Sequence, residues 1–143
     1  MDLNTYLSFD GNCGAAFKFY EKVLGGKILM MMTYGDMPEC PDMSDDAKKK
    51  VAHVRMQLGD KLLMGSDSPP GRYEPPKGFH VNIGVTDPAQ ADRLFAALSE
   101  NGTLTMPIQE TFWAARFGML VDQFGTPWMI NCEKAAAKSA TAA

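Results

Sequence analysis

Seven residues of this chain combine useful side-chain chemistry with suggestive spacing: Asn4 and Tyr6, His80 and Asn82, and the group Glu110, Trp113 and Arg116. Side chains two apart on a strand share a face. Asn4 would then stand beside the Tyr6 phenol, and Asn82 beside the His80 imidazole. Such groups orient a small polar molecule; none of them is an activated nucleophile. Glu110 and Arg116 flank Trp113, and two readings are open for them: an ordinary ion pair, or a pair that orients a polar ligand at the mouth of a cleft. His53, within an apolar stretch, is equally ambiguous. The chain has three cysteines, Cys13, Cys40 and Cys132, and no CxxC spacing. Any disulfide scheme leaves one of them unpaired, so reduced thiols in a cytoplasmic protein are expected. Cys132 reads as an inert buried thiol on a strand.

The elements that must carry these residues occur twice. Leu3 to Phe9 reads as a strand, Asn12 to Leu24 as an amphipathic helix closed by Gly25-Gly26, and Lys27 onward as further strands. Phe79 to Val85, Asp87 to Glu100 and Asn101-Gly102 repeat that order, and Gly102 follows Gly26 by 76 residues. The same offset sets Phe9 on Val85, Leu7 on Ile83, Phe19 on Phe95 and Asn4 on His80. A period this long is not a solenoid repeat. It predicts an α+β fold of two βαβββ modules, residues 1–67 and 78–133, with sheets curled around a shared cleft. A proline-rich linker, 68–77, joins them, and an Ala-rich flexible tail, 134–143, has nothing large to bury.

Composition agrees with one compact domain. At 143 residues with 45% hydrophobic and 22% charged residues, the chain is long enough to bury a core without staples. A net charge of −3 argues against nucleic acid as a partner, because phosphate-backbone affinity needs clustered Lys and Arg. The one basic run, Lys48-Lys49-Lys50, follows Asp45-Asp46 and reads as a solvated loop face. No apolar run approaches a membrane span and no signal pattern opens the chain.

Local signals place the boundaries. Asn12 is expected to cap the first helix through its side chain, with Phe17, Tyr20, Val23 and Leu24 as the buried stripe. Gly25-Gly26 stops it. Met30-Met31-Met32 reads as core, and Gly35 to Ala47 as an irregular loop. Lys50 to Leu58 and Lys61 to Ser66 form a hairpin around Gly59-Asp60, and Asp67 begins the linker. In the second module Thr86 or Asp87 caps a helix with Pro88 in its first turn and Ala91, Leu94, Phe95 and Leu98 buried. Thr103 to Gln109, Arg116 to Val121 and Pro127 to Glu133 complete the sheet.

Several stretches carry a family resemblance: Tyr6-Leu7-Ser8-Phe9-Asp10-Gly11-Asn12, Phe19-Tyr20-Glu21-Lys22-Val23-Leu24-Gly25-Gly26, Met64-Gly65-Ser66-Asp67, Glu110-Thr111-Phe112-Trp113-Ala114-Ala115-Arg116-Phe117-Gly118 and Asp122-Gln123-Phe124-Gly125. Together they resemble the PhnB-like branch of the vicinal oxygen chelate superfamily, which includes glyoxalase I, bleomycin and fosfomycin resistance proteins and extradiol dioxygenases. The resemblance runs to about Glu133. It implies the glyoxalase/bleomycin resistance/dioxygenase fold and a homodimer. Members often bear the label 3-demethylubiquinone-9 3-methyltransferase, yet this chain has no Gly-x-Gly-x-x-Gly turn or alternating βα pattern for S-adenosylmethionine.

The resemblance also implies a divalent metal, held by one residue from the first and one from the last strand of each module. Carried over, His80 is the only plausible ligand and Asn4 occupies the matching place in the first module. The carboxylate positions fall near Leu63 or Met64 and near Ile130, all apolar, while Glu133 would project from the face opposite Ile130. One imidazole and one amide do not replace a cation's hydration shell. No metal or other cofactor is therefore assured.

His80 is favoured as a hydrogen-bonded core histidine over a metal ligand, with ligand contact as the third reading. Phe112, Trp113 and Phe117 cap a barrel or seal a dimer interface. The expectation is a small-molecule-binding protein whose ligand contacts are Asn4, Tyr6, His80, Asn82, Glu110, Trp113 and Arg116. The rivals are a metal-dependent lyase, isomerase or dioxygenase in which Glu110 supplements His80, and a structural or regulatory dimer with a filled cleft.

Overall fold

The computed structural model describes residues 1–39 and 42–135. Cys40 lies outside the described residues, as does the Ala-rich end after Ala135. The chain divides into two compact units, Met1–Pro75 and Pro76–Ala143. The first contains β1 (Thr5–Phe9), α1 (Cys13–Leu24), β2 (Lys27–Thr33), the short α2 (Asp45–Lys48), β3 (Val51–Leu58) and β4 (Lys61–Asp67). The second contains β5 (Val81–Val85), α3 (Pro88–Leu98), β6 (Thr103–Gln109), β7 (Ala114–Val121) and β8 (Pro127–Glu133). Each unit is one four-stranded mixed sheet, in the orders β1-β4-β3-β2 and β5-β8-β7-β6. The first strand pairs in parallel with the last, and the other pairings are antiparallel. This is the two-module α+β architecture that the doubled strand-helix order predicts.

In the first unit the helix covers one sheet face. Cys13, Ala16, Phe17 and Tyr20 recur at helical spacing and are fully buried, as are Leu7, Phe9, Val54 and Met56 from the strands. Phe17 stands edge-on to Phe9 at 5.9 Å and to Tyr20 at 5.6 Å. The strand position beneath it has to be Gly65, where a Cβ would come within 2.8 Å of both the Phe17 ring and the Leu7 carbonyl. Gly25, at φ 74°, turns the chain out of α1. The expected Asn12 cap is overturned. Its side chain makes no capping bond, and the first free amide, Cys13 N–H, instead donates to Asp67 Oδ1 at 3.0 Å. Asp67 is thus the buried end of β4 and not the start of a linker. Its other oxygen accepts from Val51 N–H at 2.8 Å, tying helix, β3 and β4 together.

Two more expectations change in this unit. The 35–47 segment is not irregular throughout, because Tyr34–Asp36 forms a 3-10 turn and α2 is capped by the Ser44 hydroxyl, which accepts from Ala47 N–H. The methionine run is not core. β2 is an edge strand, only Met31 turns to the helix side opposite Val54, and Met30 and Met32 sit opposite Arg55 and His53 on the other face.

The second unit repeats this plan with different detail. Ala91, Phe95 and Leu98 of α3 pack on Leu120, Trp128, Ile130 and Cys132. Gly118 lies beneath Phe95, where a Cβ would meet the ring at 2.7 Å. Asp87 caps α3 as expected, accepting from Ala89 N–H, with Pro88 in the first turn. The buried pairs Ala16/Tyr20 and Ala91/Phe95 are each 75 apart, so Phe95 corresponds to Tyr20 rather than Phe19. The connection into α3 is one residue shorter than that into α1, which rotates the match by one position.

Candidate functional site

Because strand side chains alternate, each sheet has one face under its own helix and one free of it. In the first unit Leu7, Phe9, Val54, Met56, Leu63 and Gly65 take the helix side. The opposite parity therefore carries Tyr6 and Ser8 on β1, Met64 and Ser66 on β4, His53 and Arg55 on β3, and Met30 and Met32 on β2. Tyr6 is 46% exposed. Its ring stacks on the His53 imidazole at 5.7 Å with only 14° between planes, and its hydroxyl lies 3.1 Å from His53 Nδ1. The phenol and imidazole are brought together across β4, and sequence reasoning left His53 out of the site. Its spacing from Val54 and Met56 was the available signal. Asn4 precedes β1 and is exposed, so it is not part of a strand face.

In the second unit Asn82 and Gly84 on β5, Met129 and Asn131 on β8, and Phe117 and Met119 on β7 share the helix-free face. Trp113, 42% exposed, stacks edge-on to Phe117 at 5.3 Å and to Phe112 at 4.8 Å, so this aromatic group stands at the end of that face. The Asn131 Oδ1 is buried and has no hydrogen-bond partner. Opposite Asn131 on β5 is Gly84, where a Cβ would meet nothing within 4 Å.

Several expected contacts are corrected here. His80 is exposed and lies just before β5, so the favoured reading of a core histidine fails. Arg116 pairs in register with Cys132 on the helix side and bonds Asp92 of α3 at 3.0 Å, which takes it off the ligand-facing surface. Glu110 does not pair with Arg116 either; its partner is Lys134 at 3.7 Å. Ile130 is buried under α3, so the helix-free position opposite Asn82 is Met129. The same parity reverses the reading of Glu133. It does lie opposite to Ile130, but that puts it on the face of Met129 and Asn131. In the first unit Leu63 is on the helix side and Met64 is the residue opposite Tyr6.

The donor set does not suit the divalent metal that the fold family implies. The helix-free positions at the strand pairs are Tyr6 with Met64 and Asn82 with Met129, that is, a phenol, an amide and two thioethers. Hard divalent cations take several oxygen or imidazole donors, and among the described residues no group of three or more His, Cys, Asp or Glu could hold a metal.

One buried and one half-buried group explain local electrostatics rather than chemistry. Burial, reinforced by the Asp67 charge, pushes the Cys13 thiol far above its usual range, which leaves it an unreactive core group. Burial and the same carboxylate raise Tyr34, whose hydroxyl donates to the Asp67 carbonyl at 2.6 Å. A cavity of about 280 Å³ opens at the end of the first sheet, lined in part by Asp10, Gly11, Tyr34, Ser44, Asp46 and Lys50. Nothing in the sequence pattern pointed to it. The Lys50 amine is committed to the Gly11 carbonyl, and Asp10 and Asp46 are the other charged groups of the lining.

Comparison with known proteins agrees with this architecture. The family model described as Glyoxalase/Bleomycin resistance protein/Dioxygenase superfamily matches residues 2–130. Protein YjdN of Escherichia coli K12 is 35% identical over 142 residues, covering 94% of this chain and 97% of that protein. The crystal structure of protein PA1353 from Pseudomonas aeruginosa is 45% identical, with a TM-score of 0.86 over 93% of this chain and 98% of that one. A Bacillus cereus PhnB protein, described as a putative 3-demethylubiquinone-9 3-methyltransferase, shares the fold at 20% identity with a TM-score of 0.74, over 92% of this chain and 99% of that one. Among the described residues no helix is long and apolar enough to cross a membrane.

Proposed function

We propose that this chain, which belongs to the Glyoxalase/Bleomycin resistance protein/Dioxygenase superfamily, binds a small organic molecule on helix-free sheet surface without using a divalent metal. The observation that carries this reading is Asn131. Its Oδ1 is buried without a partner, whereas buried polar atoms are nearly always hydrogen-bonded and an unmet one costs about 1–3 kcal/mol. A ligand donor would remove that cost. Met119 and Met129 on the same face are only part buried and offer apolar area for the body of such a molecule beside the buried Phe117, and methionine adapts to varied shapes. Asn82 supplies a second neutral amide, and Trp113 stands against Phe117 at the end of the surface. Nothing in this arrangement activates a nucleophile or recognises S-adenosylmethionine.

The test is a thermal-shift screen of small metabolites against the wild type and Asn131→Leu. We expect at least one compound to raise the wild-type Tm by several degrees, the shift to survive EDTA, and the substitution to abolish it. A folded wild type that no compound stabilises would favour the structural-dimer reading. A homodimer accompanies the proposal, supported by Phe112 at 89% exposure and by the unpaired edges of β2 and β6. Light scattering at micromolar concentration should give twice the chain mass, and a monomer mass counts against it.

A further inference from the structure

The helix-free face of the first unit has a charge character that the ligand-binding reading does not require. Its strand positions hold Tyr6, Ser8, Met30, Met32, His53, Arg55, Met64 and Ser66, with Lys27 and Gln57 opposite each other at one end. No aspartate or glutamate takes that parity on the four strands. Asp67, the one strand acid in this unit, points to the helix side and is spent on two backbone amides. Arg55 is exposed, and among the described residues no ion pair engages it. Tyr6, Met64 and Arg55 form one cross-strand row, so phenol and guanidinium stand two strand spacings apart, roughly 10 Å along the sheet. That span suits a long arginine side chain reaching a group held at Tyr6.

The Tyr6–His53 pair always presents a donor. If the hydroxyl donates to Nδ1, the neutral imidazole carries its proton on Nε2; if Nδ1–H donates to the phenol oxygen, the hydroxyl proton is free. One N–H or O–H is thus left for a ligand in either tautomer. Ser8 and Ser66, in register with each other, add two hydroxyls.

We propose that this face is an oxyanion-recognition surface: Arg55, with the Tyr6–His53 pair, binds the carboxylate or phosphate group of a small-molecule ligand. The proposal rests on reading helix-free sheet surface as the ligand surface, and it concerns the first unit's face by itself. Charge-assisted hydrogen bonds from a guanidinium to an oxyanion are about twice as strong as neutral ones and geometrically selective, which makes Arg55 the largest contributor.

Inorganic phosphate and acetate, titrated separately into the full chain at constant ionic strength, test it by perturbation of the histidine and tyrosine ring resonances in NMR spectra. Saturable shifts of the His53 and Tyr6 signals by one or both anions are expected, and the stronger anion identifies the ligand's head group. Arg55→Met should weaken that binding by about tenfold or more, and Tyr6→Phe by a smaller factor. Lys22→Met, on the exposed surface of α1, should leave it unchanged. Non-saturating shifts from both anions overturn the proposal, as does an Arg55→Met protein that binds like the wild type. If the thermal-shift screen then yields only neutral compounds whose binding depends on Asn131, the ligand-binding reading stands and the anion assignment alone falls.

Discussion

The two units have the same strand order and each sets a helix phenylalanine over a strand glycine, on β4 in the first and on β7 in the second, yet their helix-free faces differ in kind. Both carry thioethers, but the first adds a phenol, an imidazole, a guanidinium and hydroxyls, whereas the second adds a phenylalanine, amides and the Glu133 carboxylate. Their buried carboxylates differ as well. Asp67 joins distant elements, accepting from Cys13 and Val51, whereas Asp122 closes its own turn through Phe124 and Thr126 and reaches the Trp128 indole at 2.8 Å. The helix-covered half of each sheet is under the same packing demand in both units and stays alike. The helix-free half answers to no such demand, and there the two copies are free to take on different chemistry.

The sharpest way to break the likeness is to remove one carboxylate at a time. Asp67→Ala strands two buried amides on separate elements, and we expect a loss of roughly 2–4 kcal/mol in urea unfolding, with faster amide exchange at both the start of α1 and β3. Asp122→Ala should confine its exchange effect to residues 122–128. Equal spreading in both variants would erase the distinction between a long-range tie and a local turn.

The shared packing predicts a matched response. Gly65→Ala and Gly118→Ala each force a methyl into a contact under 3 Å with a helix phenylalanine, and each should cost about 1–3 kcal/mol. A neutral result in only one unit would show that its helix can lift away from the sheet.

A pH effect should come from the first unit through Cys13. Its thiol is held above its unfolded value by burial, so above pH ~8.5 the unfolded chain loses a proton that the native state keeps. Stability should then fall as pH rises, by up to about 1.4 kcal/mol per unit. In Cys13→Ala that alkaline slope should shrink, which denaturation at pH 8, 9 and 10 can measure.

The smallest effect is expected at His80. Exposed and outside β5, its replacement by alanine should change stability by less than about 0.5 kcal/mol. A loss of 1–3 kcal/mol would restore the buried, hydrogen-bonded histidine that its apolar neighbours suggested.

Most of the elements were legible because the signals are local: alternation in Leu3 to Phe9, Gly25 after α1, and Asp87-Pro88 before α3. The double βαβββ order followed from them. The partner of each polar group was not legible, because it depends on which face and which distant element a residue meets. Asn12 looked like a helix cap, but Asp67, 54 positions beyond the Cys13 amide that it accepts from, supplied the acceptor. Arg116 looked like a neighbour of Glu110 until strand parity turned it toward Asp92. The sheet faces show the limit most clearly. Alternation states that Ile130 and Glu133 point opposite ways, and that much the sequence determined by itself. Only the packing of α3 decided that Ile130 is the covered one, because a helix can bury a single face of the sheet and the choice depends on side chains from both elements together.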